Sequence, residues 1–227
     1  SAASDVYKRQ LSMTDKAMAR FAGADAWIEQ YFLNSPDDER EEFTSAELED
    51  LARTHRALAE IRAPKTSVVA ARNDDYNTTL YVATDDMPHI VSSLTAYLSA
   101  HFGGFLAIFH PIFLAERNTD GKLISLRGTG TRANLASGDT AAVGMPSLQL
   151  SEGAPEGSTV TIESWIAIRL TRYLNEDDLR LLEHDVRRVL ADVRACYTDL
   201  EGMVTTVFDI SQAMYELRGA TLGHGEE

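Results

Sequence analysis

The chain has 227 residues, with 21 Lys plus Arg set against 35 Asp plus Glu, for a formal net charge of -14. That surplus of carboxylates argues against binding nucleic-acid phosphates or an anionic membrane surface, since both need clustered positive charge. With 44% apolar and 25% charged residues the sequence reads as globular, and its single cysteine, Cys196, fits a reducing, cytoplasmic setting.

The chain opens on Ser1-Ala2-Ala3, and nothing in Ser4 to Gln10 shares a period with the residues after it. Residues 1–13 are therefore expected to be a non-native or disordered start, without a secretory signal. From Thr14 to Leu33, Met18, Phe21, Trp27, Ile28, Tyr31 and Phe32 recur at helical intervals. A second amphipathic helix starts after Thr44 and Glu47, a capping-box pair, with Leu48, Leu51, His55 and Leu58 on one stripe. Ala63-Pro64 is read as its end, so 14–64 forms an amino-terminal helical unit.

The period then changes to two. Thr66 to Arg72 and Thr78 to Thr84 read as strands joined by the turn-forming run Asn73 to Asn77. Asp85-Asp86-Met87-Pro88 leads into a helix from Pro88 to His101, with an aspartate expected as its cap and Gly103-Gly104 as its stop. Phe105 to Ala115 is a nearly continuous apolar strand, too short to cross a bilayer, in which Pro111 predicts an edge or bulge. Asn118 to Gly121 turns into a strand at Lys122 to Leu126. The stretch 127–157 lacks any period and is read as a long loop. Thr159 to Leu170 alternates, with Ile166, Ile168 and Leu170 on one face and Glu163, Trp165 and Arg169 on the other.

Asn175 is placed to cap the last long helix. Leu179, Leu182, Val186, Val189, Val193, Cys196 and Leu200 form its narrow apolar seam. Gly202 separates it from a shorter helix at 202–218 that carries Val204, Val207, Phe208 and Met214, and 219–227 reads as a flexible tail. Residues 65–201 thus make an α+β domain: an antiparallel sheet with helices on one face, preceded by a helical pair and followed by a further helix.

Candidate chemistry centres on the strand-to-helix turn. Asp85, Asp86, Met87, Pro88 and His89 lie where backbone amides and polar side chains converge, and the alternative is a helix cap beside a solvated charge. His110, in an apolar strand, is either a pocket residue or a buried histidine with one hydrogen bond. His55, His89, His101 and His184 show no metal-site spacing, and Gly128-Thr129-Gly130 lacks the third glycine of a dinucleotide loop. Cys196 falls on the helix seam, a core position for an unactivated thiol. No catalytic set and no metal or cofactor site is expected in this segment.

In order along the chain, Tyr31-Phe32, Asp85-Asp86-Met87-Pro88-His89-Ile90-Val91-Ser92-Ser93-Leu94, His110-Pro111, Ser164-Trp165 and Leu182 to Leu190 resemble the amino-terminal region of the large bacterial NAD-specific glutamate dehydrogenases. That resemblance implies an ACT-like, ferredoxin-like βαββαβ module in a regulatory and assembly segment, with the dehydrogenase chemistry elsewhere in the protein. It also implies NAD as cofactor of the parent but not of this segment. Neighbouring modules, further copies of the chain and an amino-acid effector at the Asp85 to His89 turn are the partners it suggests. The sequence departs from the module by an extra hairpin strand, a long insertion and no obvious last strand. A freestanding ACT-like interaction module without ligand or catalysis remains the alternative.

Overall fold

In the computed structural model, residues 26–33, 35–128 and 150–222 are described. The expected start at 1–13, most of the first helix, residues 129–149 of the long loop and the tail from 223 lie outside them.

Among the described residues three helices come first: α1 (Ala26–Tyr31), α2 (Asp37–Glu41) and α3 (Ser45–Leu58). The capping box forms as expected, with Thr44 Oγ1 accepting from Glu47 N at 3.2 Å and Thr44 N donating to Glu47 Oε2 at 2.7 Å. α3 stops at Leu58, five residues before Ala63. There the backbone turns aside to pair with the later hairpin: Leu123 N donates to Glu60 O, and Arg62 N donates to Gly121 O.

Six strands form one antiparallel sheet: β1 (Val68–Asn73), β2 (Thr78–Asp85), β3 (Phe105–Phe109), β4 (Ile112–Arg117), β5 (Leu123–Gly128) and β6 (Thr159–Leu170). β6 is the centre. It pairs with β2 along one edge and with β3 and then β4 along the other, giving the order β1-β2-β6-β4-β5 with β3 in line beside β4. The apolar strand is broken at His110-Pro111, because Pro111 has no amide to donate, while its carbonyl accepts from Trp165 N at 3.0 Å. At the β4–β5 turn Gly121 holds φ +77, and a Cβ there would lie 2.4 Å from Arg62 O. This position needs glycine on both counts.

Two helices cover one face. α4 (Ile90–His101) and the first half of α5 (Glu176–Leu222) bury Leu94, Leu98, Leu182 and Val186 against Leu80, Val82, Ile166 and Ile168. The opposite face, bearing Tyr81, Ala83, Phe113 and Trp165, is closed by Trp27, Ile28, Tyr31, Phe32, Leu48 and Leu51 of the amino-terminal helices. The fold is therefore the expected α+β, ACT-like sheet, with the helical pair packed as a third layer.

The extra strand and the missing last strand prove to be one feature. β1 precedes β2 in the chain yet pairs with the β2 edge that β6 leaves open, and α5 packs beneath it. Freed from returning a strand, α5 continues for 47 residues. It passes through Gly202 without a break, one helix where the sequence suggested two. Asn175 Oδ1 accepts from Asp178 N at 2.9 Å, as the cap reading required.

Candidate functional site

The β2–α4 turn is built where the sheet ladder ends. Asp86 N still donates to Ile162 O, at 3.0 Å, and Met87 is buried under α4, which fixes the turn at both ends. Pro88 is half-buried in the turn and does not open the helix. α4 begins at Ile90, and His89 takes the N-cap position at φ 67 with no side-chain capping bond. The expectation of an aspartate cap is therefore corrected, because both aspartates are drawn to other partners.

Asp86 Oδ1 accepts from Ser164 Oγ at 2.5 Å, and Ser164 Oγ lies 3.0 Å from His110 Nε2. Two residues singled out separately in the sequence, Asp86 and His110, thus meet through a buried serine. The order of the three decides what they can do. The serine proton points to the carboxylate and not to the imidazole, so His110 is not placed to activate Ser164 as a nucleophile. The arrangement ties the turn to the broken strand.

Asp85 faces the other way, into a chain of charges. Its Oδ1 lies 2.8 Å from Arg62 Nη2 and its Oδ2 lies 2.5 Å from Arg194 Nη1 of α5. Arg62 also bonds Glu163 Oε1 at 2.8 Å, and Arg117 grips both oxygens of Glu163 at 2.7 and 3.0 Å. Trp165 Nε1 adds a donor to Glu163 Oε2 at 2.9 Å. Burial pushes the Glu163 carboxyl up, but Arg117 and Arg62 outweigh it and hold the group below the usual carboxylate range. Further donors of Arg62 and Arg117 go to backbone carbonyls of Thr66, Ala59 and Gly121, so the two buried guanidinium groups are also anchored to the main chain.

Beside Arg194 a cleft of about 510 Å³ opens between the start of β1 and α5. It is lined by Lys65, Ser67, Arg187, Arg194, Thr198 and Asp199. Its rim carries both signs of charge, and Arg194 joins it to Asp85. His89 is exposed.

Sequence reasoning missed Arg62, Arg117 and Arg194 altogether. The alternation of β6 had placed Glu163 on the Trp165 face, and a carboxylate on an inward face signals a buried cation partner. Cys196 requires a correction as well: it is exposed, because α5 leaves the sheet after Val193. Among the described residues no helix is long and apolar enough to cross a membrane, and no cluster has a metal-ligand set.

The sheet order and the two crossover helices define an ACT-like domain. A family model for the glutamate dehydrogenase ACT1 domain matches residues 27–186, and the chain belongs to that family. No solved structure matches the chain.

Proposed function

We propose that this chain is the amino-terminal regulatory and assembly segment of an NAD-dependent glutamate dehydrogenase of the cytoplasm. The parent would convert L-glutamate, by oxidative deamination, to 2-oxoglutarate and ammonia while reducing NAD, and this segment would perform no chemistry itself. The observation that carries the reading is the ACT1 family match over most of the folded body. The turn supports it: the carboxylates of Asp85 and Asp86 are engaged by Arg62, Arg194 and Ser164, an arrangement that stabilises structure instead of supplying an acid or base.

The effector is an amino acid bound in the cleft that Arg194 lines; Asp85 to His89 do not line that cleft, and Asp85 reaches it only through its ion pair with Arg194. Its carboxylate suits Lys65 and Arg194, its ammonium suits Asp199, and the volume is in the range of small-ligand sites. Calorimetry and thermal unfolding of the chain against a panel of amino acids test this. One or a few members of the panel should bind and raise the midpoint through linkage. Lys65→Glu should remove that response while leaving the unliganded midpoint unchanged, since Lys65 is exposed. Silence across the panel at millimolar concentration, or undiminished binding in Lys65→Glu, rejects effector binding in this cleft.

A further inference from the structure

Three cations and one carboxylate, Asp199, line the cleft beside Arg194, yet both of its arginines are already engaged. Arg187 Nη2 donates to Val69 O at 2.7 Å and pairs with Glu183 at 2.9 Å. Arg194 Nη1 lies 2.5 Å from Asp85 Oδ2, and Arg194 Nη2 donates to Thr84 Oγ1 at 3.1 Å. Among the described residues, Lys65 is the one cation on the cleft wall without an ion pair.

A carboxylate entering the cleft as it stands would meet Lys65 alone, and a single solvent-exposed pair is worth little. Firm binding needs a guanidinium, which grips a carboxylate through two parallel N–H donors. We infer that Asp85 is a built-in competitor for that guanidinium: it holds Arg194 as a ligand carboxylate would, and ligand entry transfers Arg194 from Asp85 to the ligand. The exchange rests on the reading that a carboxylate-bearing effector enters this cleft. Three features of the site permit it.

Asp85 is shared between two arginines. Its Oδ1 lies 2.8 Å from Arg62 Nη2, so giving up Arg194 does not leave the carboxylate without a cation. An ion pair is hardest to open where one partner is left buried and alone, and here neither is.

Only one of the two arginines is free to move. The Arg62 side chain is 1% exposed and is held as well by Glu163 and the carbonyl of Thr66. The Arg194 side chain is 24% exposed, and its hydrogen bonds among the described residues go to Thr84 and Asp85 at the end of β2. Its guanidinium can swing into the cleft that it lines while Arg62 stays in place.

The neighbouring hydroxyl keeps a partner too. Thr84 is fully buried, and its Oγ1 lies 2.7 Å from Ser67 Oγ, another atom of the cleft wall. When Arg194 leaves, Thr84 is still bonded. The departure therefore orphans no polar group at the end of β2, and the turn senses whether the cleft is occupied. Linkage makes the coupling mutual: whatever loosens Asp85 from Arg194 tightens the ligand by the same factor.

Calorimetric titration of the 227-residue chain with the same panel of amino acids tests the exchange. Asp85→Asn should bind the effector about tenfold more tightly than the wild type, because an amide competes for Arg194 without a charge. Removing any nearby carboxylate also favours an anion through space, and Arg194→Gln is the control for that. In an Arg194→Gln background, Asp85→Asn should change the affinity by less than about twofold, a coupling that a double-mutant cycle reads. Thr84→Val removes the other tie to Arg194 without touching Arg62, and should tighten binding about threefold.

Binding seen only in Asp85→Asn supports the exchange while rejecting unaided binding by the wild type. A wild type that binds, with neither Asp85→Asn nor Thr84→Val binding more tightly, overturns the exchange and leaves the effector reading standing. Silence in all three chains, or a gain that survives in Arg194→Gln, overturns it as well.

Discussion

His55 lies on the inner face of α3 between Tyr31 and the sheet, its ring 4.9 Å from that of Trp165. Its Nε2 faces the carbonyl of Val82 at 3.1 Å, which can only accept, so that nitrogen carries the proton. Nδ1 therefore accepts from the Tyr31 hydroxyl at 2.6 Å, and burial holds the Tyr31 proton in place by raising its pKa. Burial also pushes the imidazole pKa down to about 3, against the weaker raising influences of Val82 and Glu163. Between pH 6.5 and about 3 the unfolded chain binds a proton here that the folded chain refuses, so stability is full above pH 6.5 and falls as the pH is lowered. Denaturant unfolding should show a loss of about 2 kcal/mol from pH 7.5 to pH 5. His55→Gln, which keeps a donor and an acceptor but does not titrate, should flatten that slope; an unchanged slope would mean that the histidine is not the responsible group.

Glu163 is the second residue whose environment decides its worth. Its side chain is fully buried between Arg62 and Arg117, both of which are almost wholly removed from water. Glu163→Gln would leave Arg117 without its carboxylate and Arg62 with Asp85 alone, and removing one partner of such a buried pair costs about 3–5 kcal/mol. Equilibrium unfolding should register a loss in that range. The double replacement of Arg62 and Glu163 by apolar residues should be milder than the single change, which a double-mutant cycle would measure.

Among the elements, the strands and α3 arise directly from local pattern. The alternation of β2 and β6 assigns each residue to its face, and Thr44 with Glu47 announces the start of α3. What local pattern could not reveal is competition from distant partners. α3 ends early because Glu60 and Arg62 pair with the β5 hairpin, and Asp85 and Asp86 abandon α4 for Arg194 and Ser164 on elements more than 70 residues away in sequence. Gly202 misled in the opposite sense. Glycine inside a helix is unfavourable, but it does not stop one whose neighbours propagate it. A Cβ at Gly202 would meet nothing within 4 Å. Gly202→Ala should therefore raise helix content and stabilise the chain by about 0.5–1 kcal/mol. Circular dichroism melting is the measurement, and a lowered midpoint would show that the helix needs flexibility at this point.

At the scale of the whole molecule, the three-layer arrangement was only partly legible. The sequence places helices on one face of the sheet and the helical pair before it, whereas the structure packs the amino-terminal helices on the second face, against Tyr81, Ala83, Phe113 and Trp165. The turn at Asn73 to Asn77 pairs β1 with β2 locally, but nothing local says that this hairpin strand fills the edge a last strand would have taken, because the partner on the other side of β2 is set by long-range geometry. The candidate site shows the same division. Asp86 and His110 stood out by residue type and came together, whereas the arginines that occupy Asp85 arrive from the end of α3 and from α5.

The long helix has one more consequence, which is mechanical. Arg194 grips Asp85 close to the point where α5 departs from the sheet, and 28 residues of rigid helix lie beyond it. At about 1.5 Å per residue that arm is roughly 40 Å long, so a tilt of about 5° at the Asp85 contact sweeps its far end through some 3–4 Å. A displacement of well under 1 Å at an ion pair is multiplied, by length alone, into a movement large enough to shift one side chain past another.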